Sequence, residues 1–377
     1  MAKKPLIALE EHFFGPDPLV PASVVALYSQ QFAFVPNVHA KLLDLGAQRL
    51  ADMRRAGVSL QVVAHAPGMS GSEAAQAAAL NDFLAQRLRR PDDNDNNPAA
   101  AAAAPHARFF RGLAVLPMAS PRRAADELRR CVRELGLVGA MVDNHVERVD
   151  GDGDGGDDDD DDDAAATRGG VRGERVFYDR EAFACVFEAA QELDVPIYLH
   201  PMFPTASLAQ TYEGNYIDGA ALSMASSGWG WHSECGLHVL RLFAAGVFDR
   251  FPKLKIIVGH FGEMLPFMVD RIAQLSVRWG KRDRDFSTVW KENIWITTSG
   301  VWSIDPMAMI KRNTPVDKTM FSIDTPFAKA EDGKKFWEEL QASNMYSSEE
   351  MDDIGWKNAA RLFKLDEEEL VKAAQEL

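Results

Sequence analysis

Cysteine is scarce in this 377-residue chain: three in all, Cys131, Cys185 and Cys235, far apart and never spelled CxxC. That leaves no disulfide framework to build on and points to a reducing compartment, the cytoplasm. No apolar run approaches the roughly 18 residues of a membrane span, and Met1 to Lys4 lead into the first apolar run with no secretory h-region, so no membrane association is expected. No GxGxxG follows the first apolar run, which removes dinucleotide binding. Positive charge is also short: the net charge of −15 argues against nucleic acid, which rewards basic patches. The acidity is local, because ten aspartates fall within 150–163 and the rest of the chain carries only about −5.

What is present is apolar sequence (46% of residues), enough for a sizeable core. Eight β-rich runs recur, at 6–10, 59–65, 109–116, 137–143, 196–200, 255–260, 294–300 and 320–324. Amphipathic stretches separate them: in AADELRRCVRELG (124–136), Leu128, Cys131, Val132 and Leu135 share one face and Gly136 ends the helix. Continuous apolar strands alternating with such helices predict a parallel sheet, and eight repeats in this length predict an α/β fold of the (β/α)8 TIM-barrel type. The expectation is one barrel domain over 1–377 with low-complexity insertions at about 91–105 and 149–173. The second holds seven consecutive aspartates, which repel one another and bury nothing. Its DGDGDG spelling hints at a calcium loop but has neither flanking helices nor a clear closing glutamate, so a solvated insertion is the better reading.

Polar residues collect at the ends of the predicted strands. Glu10 and His12 end the first, His200 the fifth, His260 the sixth and Asp324 the eighth. In a barrel those ends converge on one mouth, and alternation along a strand sends Glu10 and His12 into it while Glu11 points away. Two carboxylates and two imidazoles (Glu10, His12, His200, Asp324) suit Zn²⁺ or Mn²⁺ with positions left open for substrate. The fourth strand ends MVDNH without lysine and the first reads ExH rather than HxH, so one metal is expected rather than two. Glu263 follows His260 by three residues, placed to fix the imidazole's tautomer or else to cap the next helix. Arg271 lies further along that segment, either meeting an anionic substrate, within this chain or in a neighbouring subunit, or simply a surface charge. The Gly/Ser/Trp-rich stretch 223–232 is a candidate lid or subunit contact.

These stretches also spell a family. ALEEHF (8–13), LHP (199–201), GVFDRFPKLKIIVGHFGEMLPFMVDRI (246–272), NIWITTSG (293–300), FSIDTPF (321–327) and NAARLFKL (358–365) closely resemble the amidohydrolase-related aromatic decarboxylases, those acting on 2,3-dihydroxybenzoate, salicylate and γ-resorcylate among them. The likeness covers nearly the whole chain except the insertions. It implies non-oxidative decarboxylation of an ortho-hydroxybenzoate at one Zn²⁺ or Mn²⁺ without an organic cofactor, a small aromatic acid as partner, and a homodimer or homotetramer. Carried over by motif, Glu10, His12, His200 and Asp324 match metal ligands, His260 and Glu263 the dyad beside a catalytic aspartate, and Arg271 a substrate contact. His12 resembles the γ-resorcylate and carboxyvanillate enzymes rather than the ALEEAF spelling of the fungal 2,3-dihydroxybenzoate and salicylate enzymes. Thr325 stands where an aromatic is usual, and the fourth strand reads VDN where VND or ING is common. On this reading Asp324 protonates the ipso carbon, supplied by His260 and Glu263. Phe13, Phe14, Phe203, Trp302 and Phe327 wall an aromatic pocket, and His65 meets a ring hydroxyl. The alternative is a metal-dependent hydrolase of a hydroxybenzoate ester, lactone or depside.

Overall fold

The computed structural model describes residues 3–89, 106–147, 174–300 and 303–377. Both insertions predicted from composition, 91–105 and 149–173, and the candidate Trp302 lie outside the described residues. Strands β1 (Ile7–Phe13), β2 (Leu60–His65) and β3 (Phe110–Gly112) pair in parallel. A second run of parallel strands contains β4 (Ala114–Val115), β5 (Ala140–Asp143), β8 (Ile197–His200), β9 (Ile256–Val258), β10 (Ile294–Thr297) and β11 (Thr319–Met320). β3 and β4 are one barrel strand interrupted at Leu113, whose N–H still donates to Val63 O at 2.9 Å. A parallel bridge between Leu9 and Ser322 joins the end of the series back to β1. The remaining strands, β6 (Val146–Glu147) and β7 (Arg175–Val176), form a separate antiparallel pair on the loop after β5.

All eight predicted strands are therefore found, several of them shorter than the apolar runs suggested. Of the run 320–324 only Met320 enters β11, beside Thr319; Ser322 adds the single bridge to Leu9, and the chain then turns away to carry Asp324. The predicted helix at 124–136 spans Pro121–Arg133, with Leu128 and Cys131 buried and Gly136 in the left-handed region at φ 70°.

Alternation along the strands separates two cores. Ile7, Leu9, Leu60, Val62, Leu113, Met141, Tyr198, Ile257, Trp295 and Met320 fill the barrel interior. Their strand neighbours Ala8, Val63, Val142, Leu199, Val258 and Ile296 face outward into the layer packed by the helices. The same period places His200 on the side of Tyr198 and Thr297 on the side of Trp295, which aims both at the mouth. It also decides two expectations from sequence. His65 follows the inward Ala64 and therefore faces out, and Phe13 packs on it from β1, with ring centroids 5.4 Å apart.

β1 breaks the rule in one place. Leu9 pairs with Val62 and Glu11 with Val63, so Glu10 is an extra residue, a β-bulge, with φ 67°. Strict alternation sends Leu9 and Glu11 inward together. The bulge instead lets Leu9 and Glu10 both face the interior and returns His12 to the same side. The predicted convergence of Glu10 and His12 is correct, and a local defect in the strand produces it.

Candidate metal centre and active site

Glu10 is fully buried, and the chain supports only one of its two carboxylate oxygens. Oε2 accepts hydrogen bonds from the hydroxyls of Tyr198, Thr297 (3.0 Å) and Ser299. Oε1 has no hydrogen-bond partner and faces His200 Nε2 at 3.2 Å and His260 Nδ1 at 3.6 Å. Burial works to raise this carboxyl, but the charges of His260 and His200 outweigh it, with Ser299 assisting, and Glu10 is held well below the usual carboxylate range. The approach of Glu10 requires a glycine opposite: a Cβ on Gly259, just past β9, would lie 2.6 Å from Oε1.

His12 and His200 stand edge to face with ring centroids 4.9 Å apart, and His200 Nδ1 is within 2.7 Å of Pro201 O, which leaves Nε2 facing the mouth. One ligating atom each from Glu10, His12 and His200 lies within 4.8 Å of the others. Asp324 joins them from the loop after β11, its Oδ1 3.3 Å from His12 Nε2. Burial pushes the His12 imidazole below its ordinary range, leaving it neutral and able to bind a cation. Glu10 Oε1, both ring nitrogens of His12 and Asp324 Oδ1 are buried with no hydrogen-bond partner among the described residues. Buried polar atoms are rarely left this way, and here they converge. Two carboxylate oxygens and two imidazole nitrogens fit one divalent cation of the Zn²⁺ or Mn²⁺ type.

Beyond Asp324 runs a second polar line. His260 Nε2 is 3.9 Å from Asp324 Oδ2, while its Nδ1 is 2.7 Å from Glu263 Oε1. Glu263 Oε2 in turn meets His232 Nδ1 at 2.8 Å, and His232 Nε2 lies 3.0 Å from Ser227 O. Glu263 is therefore no helix cap; its carboxylate is spent on two imidazoles. Burial opposes a charge on His260, but Glu10 and Glu263 outweigh it and raise its pKa well above the usual value. The turn carrying this pair is left-handed throughout, with φ 46° at His260, 58° at Phe261 and 51° at Glu263, and Asp324 has φ 75°. Backbone strain of this kind gathers at functional sites. The His260 ring packs on Gly300, where a Cβ would come within 2.6 Å of it.

A cavity of about 330 Å³ opens above these groups. His12, His200, His260 and Asp324 form one side, and Tyr28, Trp231 and Phe327 form aromatic wall. Phe327 therefore lines the pocket as expected, its ring centroid 5.6 Å from His12. Phe203 stands one layer behind, against Tyr28 and Trp231 at 5.1 Å each. Phe13, Phe14 and His65 belong to the packing behind the wall; His65 Nδ1 lies 2.6 Å from Ala66 O, and burial brings its pKa down to about 4. Arg271 is exposed on the helix Leu265–Leu275 and does not line the cavity. The stretch 223–232 supplies Ser227, Trp231 and His232 as cavity wall.

Sequence reasoning missed the three hydroxyls on Glu10, and also Tyr28, Gln31, Trp231 and His232. Tyr198 and Thr297 were within reach, since both lie at inward-facing strand positions below the mouth. His232 carried no signal beyond being a histidine in a stretch already singled out.

The sequence profile of the family described as Amidohydrolase matches residues 37–365. Decarboxylase orsB of Emericella nidulans is 42% identical over 96% of this chain and 97% of its own length. A γ-resorcylate decarboxylase of Polaromonas sp. is 31% identical over 95% of this chain and 98% of its own. Among solved structures, a dihydroxybenzoic acid decarboxylase from Polaromonas sp., with bound manganese and the inhibitor 2-nitroresorcinol, matches at 30% identity with a TM-score of 0.73, covering 96% of this chain and 97% of that one. No helix among the described residues is long and apolar enough to cross a membrane.

Two outcomes follow from the orphaned atoms. Stripping divalent cations with a chelator lowers the thermal unfolding midpoint and Mn²⁺ restores it, since a ligand at 100 times its Kd adds about 2.7 kcal/mol; an unchanged midpoint on chelation removes the metal reading. Gly259→Ala pushes on Glu10 Oε1 and weakens Mn²⁺ affinity by about ten- to a hundredfold in a metal titration.

Proposed function

The chain belongs to the amidohydrolase family, and on that premise we propose that this aromatic-acid decarboxylase converts an ortho-hydroxybenzoate to the phenol and CO₂, with Asp324 delivering a proton to the ipso carbon. The observation that carries the reading is the convergence of Glu10 Oε1, His12 Nε2 and Asp324 Oδ1, buried and without partners, beneath an aromatic-walled cavity. We read the whole chain as one barrel domain in a reducing, cytoplasmic setting, in keeping with its three free thiols.

Glu10, His12, His200 and Asp324 would hold a divalent cation, Zn²⁺ or Mn²⁺, which would supply positive charge against the anionic end of the substrate. The chain does the rest. Phe327, Tyr28 and Trp231 offer apolar surface to the ring and exclude water. Alone, Asp324 is a poor proton source: burial favours its protonated form, but His12 and His260 outweigh that and hold its pKa low. Its proton comes from His260, which Glu263 and Glu10 keep charged and which has Nε2 3.9 Å from Asp324 Oδ2. Asp324 then hands it to the ipso carbon, where a C–H bond forms at the expense of the ring's π-system. The carbon–carbon bond to the carboxylate breaks next; its electron pair restores the aromatic ring and CO₂ departs.

Gln31 Oε1 and Trp231 Nε1 belong to cavity-lining side chains and have no partner among the described residues. One accepts and one donates, which suits a ring carrying a hydroxyl beyond the ortho one. A dihydroxybenzoate of the resorcylate kind, like the substrates named for the relatives, is therefore preferred to salicylate. For subunit contact, Phe267 (78% exposed) stands beside Met264, Met268 and Arg271 on the helix Leu265–Leu275. We place the interface of a homodimer or homotetramer there, with Arg271 directed to a neighbouring copy.

A panel of 2,3-, 2,4- and 2,6-dihydroxybenzoate, salicylate and carboxyvanillate, assayed for CO₂, gives release from a dihydroxybenzoate ahead of salicylate. Acid released from a hydroxybenzoate ester with no CO₂ from any panel member establishes the hydrolase alternative instead. Asp324→Asn lowers kcat by about a hundredfold or more, the range of general acid catalysis, while elemental analysis still finds metal on Glu10, His12 and His200. Near-wild-type turnover in that variant removes Asp324 from the acid role.

A further inference from the structure

Glu11, which the bulge at Glu10 turns away from the mouth, is as buried as Glu10. It does not face an apolar layer. Its Oε1 accepts from the backbone N–H groups of Ile323 (3.0 Å) and Asp324 (3.3 Å) and from Ser322 Oγ (3.4 Å). Its Oε2 accepts from Thr325 N–H (3.1 Å), Gln61 Nε2 (3.2 Å) and the Thr325 hydroxyl. Three consecutive backbone N–H groups, centred on Asp324, thus end on one side chain from β1. The bulge at Glu10 is what turns Glu11 toward them.

We propose that Glu11 is a positioning residue for the decarboxylation: its carboxylate gathers the N–H groups of Ile323, Asp324 and Thr325 and so holds the Asp324 side chain over the ipso carbon. The left-handed backbone at Asp324, φ 75°, is costly for a residue with a Cβ and persists only where its surroundings enforce it. Glu11 does so from one side. From the other, His12 N–H donates to Thr325 O at 2.7 Å, so the bulged strand grips the loop through both a side chain and its own backbone. The order along the strand then has a meaning: Glu10 and His12 meet the cavity, and Glu11 between them aligns the fourth member of the set. The proposal rests on the reading of Asp324 as proton donor.

Every partner of Glu11 is able to donate, which makes its two oxygens irreplaceable by an amide. Glu11→Gln turns an NH₂ toward at least one backbone N–H, opposing donor to donor. Three measurements test this, in the Mn²⁺-saturated enzyme: amide hydrogen exchange of the 322–325 segment, steady-state kinetics, and thermal unfolding. Asn81→Ala serves as the control, because Asn81 is a buried hydrogen-bonding residue holding Val115 and Glu127, away from the cavity. In Glu11→Gln the 322–325 amides lose protection and kcat falls by about ten- to a hundredfold, the effect of a reacting group misplaced by about an ångström, with KM nearly unchanged. Asn81→Ala loses stability and keeps kcat. Glu11→Asp, which keeps both acceptors on a shorter stem, recovers part of the turnover; it also replaces Glu11→Gln should that variant not fold, and then shows a smaller fall in kcat with the same loss of protection. Retained protection at 322–325, or lost protection with kcat unchanged, overturns the proposal. A fall in kcat equal to that of Asn81→Ala overturns it as well. Asp324→Asn run alongside separates the two readings: an inactive Asp324→Asn with a fully active Glu11→Gln defeats only the role of Glu11, whereas an active Asp324→Asn defeats the acid role itself.

Discussion

The site depends on the full burial of one carboxylate, Glu10, at the barrel mouth. A charge there is tolerable only if every direction in which it is solvated by water is replaced by something fixed. The hydroxyls of Tyr198, Thr297 and Ser299 do this for Oε2. For Oε1 the chain offers only imidazoles, at 3.2 Å from His200 and 3.6 Å from His260. Half of the carboxylate is thus structural and half is left with its negative charge turned inward, which is what a cation needs.

That inward charge reaches further than its own contacts. It raises the pKa of His260, Glu263 adds to the effect, and His232 keeps Glu263 ionised by bonding its other oxygen. Asp324 receives the opposite treatment: His12 and His260 on either side favour its ionised form against the pull of burial. The result is a pair of neighbours, His260 and Asp324, whose pKa values are driven apart and whose nearest atoms stand 3.9 Å apart. Such a separation of proton affinities between adjacent groups is common at functional sites.

Much of this was legible in the sequence because a parallel barrel writes its chemistry at fixed points. Glu10, His12, His200, His260 and Asp324 each stand where an apolar strand run ends, and it is their number at one mouth, not any one of them alone, that signals a site. The rest was hidden for specific reasons. The bulge at Glu10 inserts one residue into a seven-residue strand, and no composition signal announces it. Without it, alternation from the inward Ile7 and Leu9 sends Glu11 to the mouth and turns Glu10 and His12 away from it. The same rule, applied to β2, places His65 outside the wall, where it is found. Glu11 looked idle because most of its partners, residues 322–325, are more than 300 positions away and two of them, Ile323 and Asp324, contribute only backbone N–H to it, which no side-chain pattern encodes. His232 and Arg271 depend on how a helix docks and on what covers an exposed face, and neither is a property of local sequence.

The division of labour in the cavity also constrains how a substrate sits. One side carries imidazoles and carboxylates; the other carries the faces and edges of Tyr28, Trp231 and Phe327. An aromatic acid has the same division within one molecule, with its anionic group at one end and its apolar ring at the other. Reversing it would bury a carboxylate against phenyl and indole surface and leave the orphaned Glu10, His12 and Asp324 atoms facing a hydrocarbon, two desolvation penalties of several kcal/mol each with nothing to offset them. On the proposed reading, with a cation between the carboxylates, the substrate's carboxylate would lie on the Glu10, His12 and His200 side and the carbon that bears it would come within reach of Asp324. On that reading orientation and reactivity follow from the same asymmetry, with the loop that Glu11 holds setting how closely Asp324 would meet that carbon.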